Sequence, residues 1–285
     1  MARIDNLNNF LTDVADSIRT KKGTTDLISP SNFDTEIESI ETGGGDISEY
    51  FNIPNLNGSN SANSSVGGWI HGIKKMQIKD HTITNCQYLF SKYKGEELEF
   101  INVDTSSTTS MMYMFNECSN LKTLDLSGID ASNVTTMNYM ISYCLVLTSV
   151  NLEGFNTSKC TNFQSMFYGS RLIGSLNINH FDVSKATNMG SMFSSCMKLE
   201  ELDLSNWETP ALTNTNSMFQ SCSALKRIDM RNFDFTNVTS YSGMFTSVPA
   251  NCLIIVKDDT QKTWITGKFK NLTNVKTVAE YESGN

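Results

Sequence analysis

The chain has 285 residues, with 22 basic and 30 acidic side chains and a net charge of −8. That balance lacks the clustered Lys and Arg that nucleic acid demands, and it disfavours an anionic membrane surface. Asn, Ser and Thr together supply 93 residues, about a third, which departs from the composition of an ordinary compact enzyme and suggests a polar repeat.

The opening Met1-Ala-Arg-Ile-Asp-Asn6 has no basic stretch followed by an apolar one, so no secretory signal is expected. No run approaches the ~18 apolar residues of a membrane span, so no membrane insertion is expected either. Residues 5–20 place Leu7, Phe10, Leu11, Val14 and Ile18 on one helical stripe, and Lys21-Lys22-Gly23 supplies the stop. Pro30-Ser31-Asn32 begins a second helical pattern with Phe33, Ile37 and Ile40 on one side. Two such helices bury little core alone, so residues 1–42 read as an anchoring or oligomerisation module whose stripes contact copies of themselves or another protein. Residues 43–68 read as a linker rich in Gly, Asn and Ser, interrupted by an apolar docking segment, Ile47-Ser-Glu-Tyr-Phe-Asn-Ile53.

Residues 69–285 follow another rule. Met114-Phe115, Met140-Ile141, Met166-Phe167, Met192-Phe193, Met218-Phe219 and Met244-Phe245 return every 26 residues. Ten and twelve residues after each methionine stand apolar pairs such as Leu124/Leu126, Leu202/Leu204 and Ile228/Met230, the alternation of a half-buried strand. Fifteen residues after it comes Ile129, Phe155, Phe181, Trp207 or Phe233. A fixed period of this size marks a solenoid whose copies bury their apolar faces only by stacking. The predicted fold class is a repeat solenoid of leucine-rich-repeat type, with parallel strands, short helical turns and a 26-residue period, preceded by a small α-helical N-terminal module. The Met-Phe-x-x-Cys stretch is expected to form the helical turn opposite the strands, with caps over residues 69–86 and 257–279.

The run Cys118-Ser-Asn-Leu-Lys-Thr-Leu-Asp-Leu-Ser-Gly-Ile-Asp-Ala-Ser-Asn-Val-Thr-Thr-Met137 resembles the BspA-type leucine-rich repeat. The resemblance covers about 75–279 and implies a right-handed solenoid with a surface-recognition role and no catalysis. The segment Ile18-Arg-Thr-Lys-Lys-Gly-Thr-Thr-Asp-Leu-Ile-Ser-Pro-Ser-Asn-Phe33 resembles a leader of phage and prophage virion proteins. Together the two resemblances imply a bacteriophage virion structural protein, a tail fibre, head fibre or decoration protein made in the bacterial cytoplasm. Its partners would be other virion proteins through residues 1–42, further copies of itself, and a host cell-surface glycan or protein through the solenoid. The alternative is a bacterial surface adhesin-like protein of the BspA repeat type; an unrecognised wall hydrolase is a third, weaker reading.

No motif of catalytic spacing, phosphate loop or paired carboxylate stands out, so no catalytic residue, metal or cofactor is expected. Cys118, Cys144, Cys196 and Cys222 share one column; neighbours would lie near disulfide distance, but a reduced, inert ladder is the expectation. His71, His81 and His180 read as solvated or structural. Two outward columns remain. Asp104, Asp130, Asn156, Asp182, Glu208 and Asp234 are expected to cap turns. Asp125, Asn151, Asn177, Asp203 and Asp229, flanked by Arg227 and Arg231, lie between the strand apolars and form the candidate ligand-binding strip, with a solvated face as the plain alternative and calcium as a weaker variant.

Overall fold

A computed structural model of the chain describes residues 75–284. The anchoring contacts assigned to Leu7, Phe10, Leu11, Val14, Ile18, Phe33, Ile37 and Ile40, and the linker of 43–68, lie outside the described residues.

The repeat folds as a stack of rungs. One wall carries the short strands β1 (Lys75–Lys79), β2 (Glu97–Ile101), β3 (Thr123–Asp125), β4 (Ser149–Asn151), β5 (Glu201–Asp203), β6 (Arg227–Met230) and β7 (Leu253–Val256). Every pairing is parallel, and β3–β4 and β5–β6 align residues 26 apart, Thr123 with Ser149 and Glu201 with Arg227. The sequence period is therefore the rung. The wall divides into three sheets, β1-β2, β3-β4 and a last one from β5 onward. Between β4 and β5 the Ser175–Asn177 stretch holds the strand column without forming a strand. Gly174 precedes it, and the Glu200 N–H reaches the Gly174 carbonyl at 3.4 Å, against 2.7 Å for Lys226 to Glu200 one rung on. A glycine brings no side chain to pack there.

Inside, one residue type stacks on its like. Phe167, Phe193, Phe219 and Phe245 form a ring ladder at 5.4–5.8 Å, and Phe155, Phe181, Trp207 and Phe233 a second at 6.1–6.3 Å. Each rung buries Met, Phe, Leu and Ile that alone would face water, so stability belongs to interfaces between rungs. The Trp207 indole N–H donates to the Ile178 carbonyl at 2.9 Å, so the one indole of the ladder is satisfied.

Two expectations are corrected. The Met-Phe-x-x-Cys wall is not helical. Its peptide N–H groups donate to the next rung, Tyr113 to Asn138, Phe115 to Met140 and Glu117 to Ser142 at 2.8–3.1 Å. A helix would spend those donors internally. The chain turns there through left-handed residues, Tyr113 and Glu117 in one rung and Ser191 and Ser195 three rungs later. Second, the described helices do not precede the solenoid. They follow β7 as α1 (Asp259–Lys268) and, after β8 (Val275–Thr277), α2 (Val278–Glu282). β8 pairs with β7, and α1 lays Trp264 on Phe235 at 4.5 Å, while Phe269 meets Phe245 edge-on at 5.1 Å. These elements cover the apolar end that stacking leaves bare.

The cysteine ladder is internal and reduced: all seven cysteines are free and buried. The Cys118, Cys144, Cys196 and Cys222 thiols donate to the carbonyls of Phe90, Phe115, Phe167 and Phe193 at 3.0–3.2 Å, and Ser170 does the same for Ile141 at 2.7 Å. Burial pushes the Cys86, Cys160, Cys222 and Cys252 thiols up to about 12, and those of Cys118 and Cys196 well above the ordinary range. Only thiolate reacts. The folded protein at pH 8 is expected to give no reaction with a maleimide, whereas the urea-unfolded protein should give all seven; one fast native thiol would refute the ladder.

Candidate functional site

The outward side chain between the two strand apolars has a local task in almost every rung. The Oδ1 atoms of Asp125, Asn151 and Asp203 accept the N–H of Ser127, Glu153 and Ser205 at 2.9–3.1 Å, turning the chain out of the strand. Asx geometry uses one oxygen and leaves the rest of the group outward. Asp125, Asn151, Asn177 and Asp203 are exposed on the strand face, Asn177 without a strand around it. The Asn151 amide donates to Asp125 Oδ1 at 3.0 Å, and Asn179 reaches Asp203 Oδ2 at 3.4 Å, so amides separate the stacked carboxylates and relieve their repulsion.

The strip does not continue to its end. Asp229, in the same column, is 1 % exposed. Arg231 grips it through Nε and Nη2 at 3.0 and 2.8 Å, and Arg227 Nη2 approaches the same carboxylate at 2.8 Å. α2 closes over them: Arg231 reaches Glu282 at 3.4 Å and the Arg227 guanidinium lies 5.7 Å from the Tyr281 ring centre. Asp229, Arg227 and Arg231 thus form an ion cluster beneath the C-terminal cap, separate from the exposed strip. The facing carboxylate raises the affinity of Arg231 for its proton.

Where the first two sheets part, between β2 and β3, the strand face opens into a groove of about 350 Å³. Glu97, Glu99, Thr123, Asp125, Ser149 and Asn151 line it, while Leu98 and Leu124 between them turn their side chains into the core. Carboxylates, hydroxyls and an amide can accept and donate hydrogen bonds to a polar ligand laid across rungs. Glu99 stands 26 residues before Asp125, at the head of the same outward column, whereas Glu97, two residues earlier on β2, escaped the sequence reading.

The second acidic column caps turns at five of its six positions, Glu208 making no such bond. Asp104, Asp130, Asn156, Asp182 and Asp234 accept N–H groups two residues on at 2.8–3.0 Å. Hydrogen bonds from Ser106, Ser184 and Thr236 hold the Asp104, Asp182 and Asp234 carboxyls below the usual carboxylate range. A depressed folded value gives stability that is present above the unfolded value near 3.8 and is lost as pH falls through the folded one. The urea midpoint is expected to stay level from pH 7 to 5 and to fall below about pH 4; replacing Asp104, Asp182 and Asp234 by Asn should flatten that fall.

A further column went unread. Thr109, Thr135, Thr161, Thr187, Thr213 and Thr239 recur at the 26-residue step, all exposed. The Oγ1 atoms of Thr135, Thr161, Thr187 and Thr213 donate to the threonine carbonyl one rung before at 3.0–3.3 Å, so the column is a brace. The histidines stand apart from the groove. His180 Nε2 lies 2.9 Å from the Leu152 carbonyl, burial lowers the His81 value, and His71 lies outside the described residues. Among the described residues no group of three or more His, Cys, Asp or Glu gathers as for a metal, and no helix is long and apolar enough to cross a membrane.

Comparison with known proteins places this architecture. The family model described as "Mycoplasma protein of unknown function, DUF285" matches residues 84–175 and again residues 146–256, overlapping stretches that together span more than half of the chain. The chain belongs to the DUF285 family. The double match follows from the repeat, since one model covers several rungs and fits the DUF285 solenoid in two registers. No curated protein matches the chain. Among solved structures, the leucine-rich repeat domain of the type III effector XopL is similar at 13% identity and a TM-score of 0.18, over 89% of this chain and 95% of that one. A superposition so loose carries no argument about this fold, which rests on its own strand registers. The family match corrects the phage reading: the DUF285 model is described by Mycoplasma proteins, and its description brings in no virion, tail fibre, head fibre or decoration protein. What stands is a repeat solenoid of leucine-rich-repeat kind with an extended outward face.

Proposed function

We propose that this DUF285 protein is a non-enzymatic recognition module of bacterial adhesin type, akin to the BspA repeat, and that its strand face binds a polyhydroxylated cell-surface ligand. One observation carries the reading: the polar strand face opens between β2 and β3 into a groove lined by Glu97, Glu99, Asp125 and Asn151. Sugar hydroxyls suit that lining, donating to the carboxylates and accepting from the amide. Weak single contacts gain strength when several copies act together, and the stripes of residues 1–42 are the proposed site of self-association.

Asp125→Asn keeps the Oδ1 acceptor that the Ser127 turn needs and removes the charge; Thr123→Arg with Ser149→Arg fills the groove from exposed positions. Binding of the full chain to epithelial cells and to a glycan array is expected to fall at least tenfold in the double arginine variant and severalfold in Asp125→Asn. Unchanged binding by a variant that melts like the parent would sink the groove as the site.

A further inference from the structure

The wall opposite the strand face changes character along its length. Its left-handed positions hold Tyr88, Tyr113, Tyr139 and Tyr143 in the first rungs but Ser191, Ser195, Ser217 and Ser221 in the later ones. A left-handed backbone disfavours bulky side chains, and the later rungs show that serine satisfies the turn. The tyrosines therefore meet some need other than folding. Tyr88, Tyr113 and Tyr139 stack ring on ring at 4.7 Å, and Tyr143, 40 % exposed, lies flat on Gly169 and edge-on to Tyr168. Beside Tyr143, in two adjacent columns of successive rungs, stand Leu145, Val146, Leu172 and Met197, all exposed. Large apolar side chains gathered on a surface mark a docking site more than scattered ones do.

The same two columns carry Arg171 and Lys198, exposed and in no ion pair among the described residues. Lys122 and Lys226, one turn further along the chain, each pair with a glutamate one rung before. An apolar, tyrosine-edged face with two uncompensated cations fits a short segment that is both acidic and apolar.

We propose that residues 46–53 of the same chain, Asp-Ile-Ser-Glu-Tyr-Phe-Asn-Ile, dock on this face. Asp46 and Glu49 match Arg171 and Lys198 in charge, and Ile47, Tyr50, Phe51 and Ile53 match the exposed apolar side chains. Residues 54–74 tie the segment to β1; 21 residues span up to about 70 Å, against roughly 24 Å along the axis from β1 to β5, which follows Met197 and Lys198. The contact covers the middle rungs, from Leu145 to Lys198, and leaves the strand-face groove open, so it stands independently of the ligand proposed above.

Full-length protein carrying Phe51→Cys with Leu172→Cys tests it under mild oxidation, with Phe51→Cys and Thr213→Cys as the control pair. The seven native thiols are buried and stay silent. The expected result is a disulfide within one chain, forming at least tenfold faster than in the control and slowed severalfold by added Arg171→Glu and Lys198→Glu. Equal rates for the two pairs, no disulfide, or a disulfide only between chains would overturn it, the last giving the face to a second copy. All four substituted positions of the solenoid are exposed, and equal melting of every variant checks that folding is untouched.

Discussion

Trp207→Ala is expected to destabilise the folded chain by about 4 kcal/mol, the range for emptying an aromatic site in a packed core. Trp207 is fully buried between Phe181 and Phe233, so its loss opens a gap shared by three rungs. Each rung is held only by its neighbours, through stacking and rung-to-rung hydrogen bonds, and a solenoid broken at one interface loses coupling between its halves. The urea transition followed by circular dichroism should therefore move to lower denaturant and also broaden. Trp207→Phe separates packing from hydrogen bonding. It restores the ring that Phe181 and Phe233 use and removes only the indole bond, while the Ile178 carbonyl keeps the N–H of Phe181 at 3.0 Å. About 1 kcal/mol is expected. A sharp, parent-like transition for Trp207→Ala would refute the rung-by-rung account.

Asp229→Ala should cost about 3 kcal/mol, because removing one partner strands the others in a site out of water. Its carboxylate is 2 % exposed, the two guanidinium side chains are under a third exposed, and Arg227 Nε is already buried without a partner. Loss of the acid would leave two like charges facing each other under α2. Asp203→Ala, one rung earlier in the same column, loses a turn bond on an exposed surface and should cost under about 1 kcal/mol. Equal effects at Asp203 and Asp229, measured by urea unfolding, would remove the distinction between strip and cluster.

That pair of residues shows how far the sequence could be read. The 26-residue step, the strand columns and the turn-capping role of the Asp104–Asp234 column are local or periodic facts, visible because every copy repeats them. Asp229 looks like Asp203 in its own rung. Its burial comes from α2, about fifty residues later, and no period announces that contact. The Met-Phe-x-x-Cys wall misled for a different reason: apolar residues at that spacing fit a helical face and also fit a turn pair with left-handed corners. Glycine would have marked those corners, but tyrosine, serine and glutamate occupy most of them. Glu99 is legible because it stands one period before Asp125, whereas Glu97 is an ordinary strand residue in sequence and lines the groove only in space.

The direction of the hydrogen bonds in the wall opposite the strands bears on how the protein would behave under load. They run along the solenoid axis, from each rung to the next, and few bonds tie one rung to any but its neighbours. A pull between the two ends loads the bonds of one interface at a time, as in a zipper, so rungs peel off singly at modest force. Each would release 26 residues, about 90 Å of slack, while the rungs behind it stay folded. Under a steady pull the solenoid therefore gains length step by step instead of failing all at once.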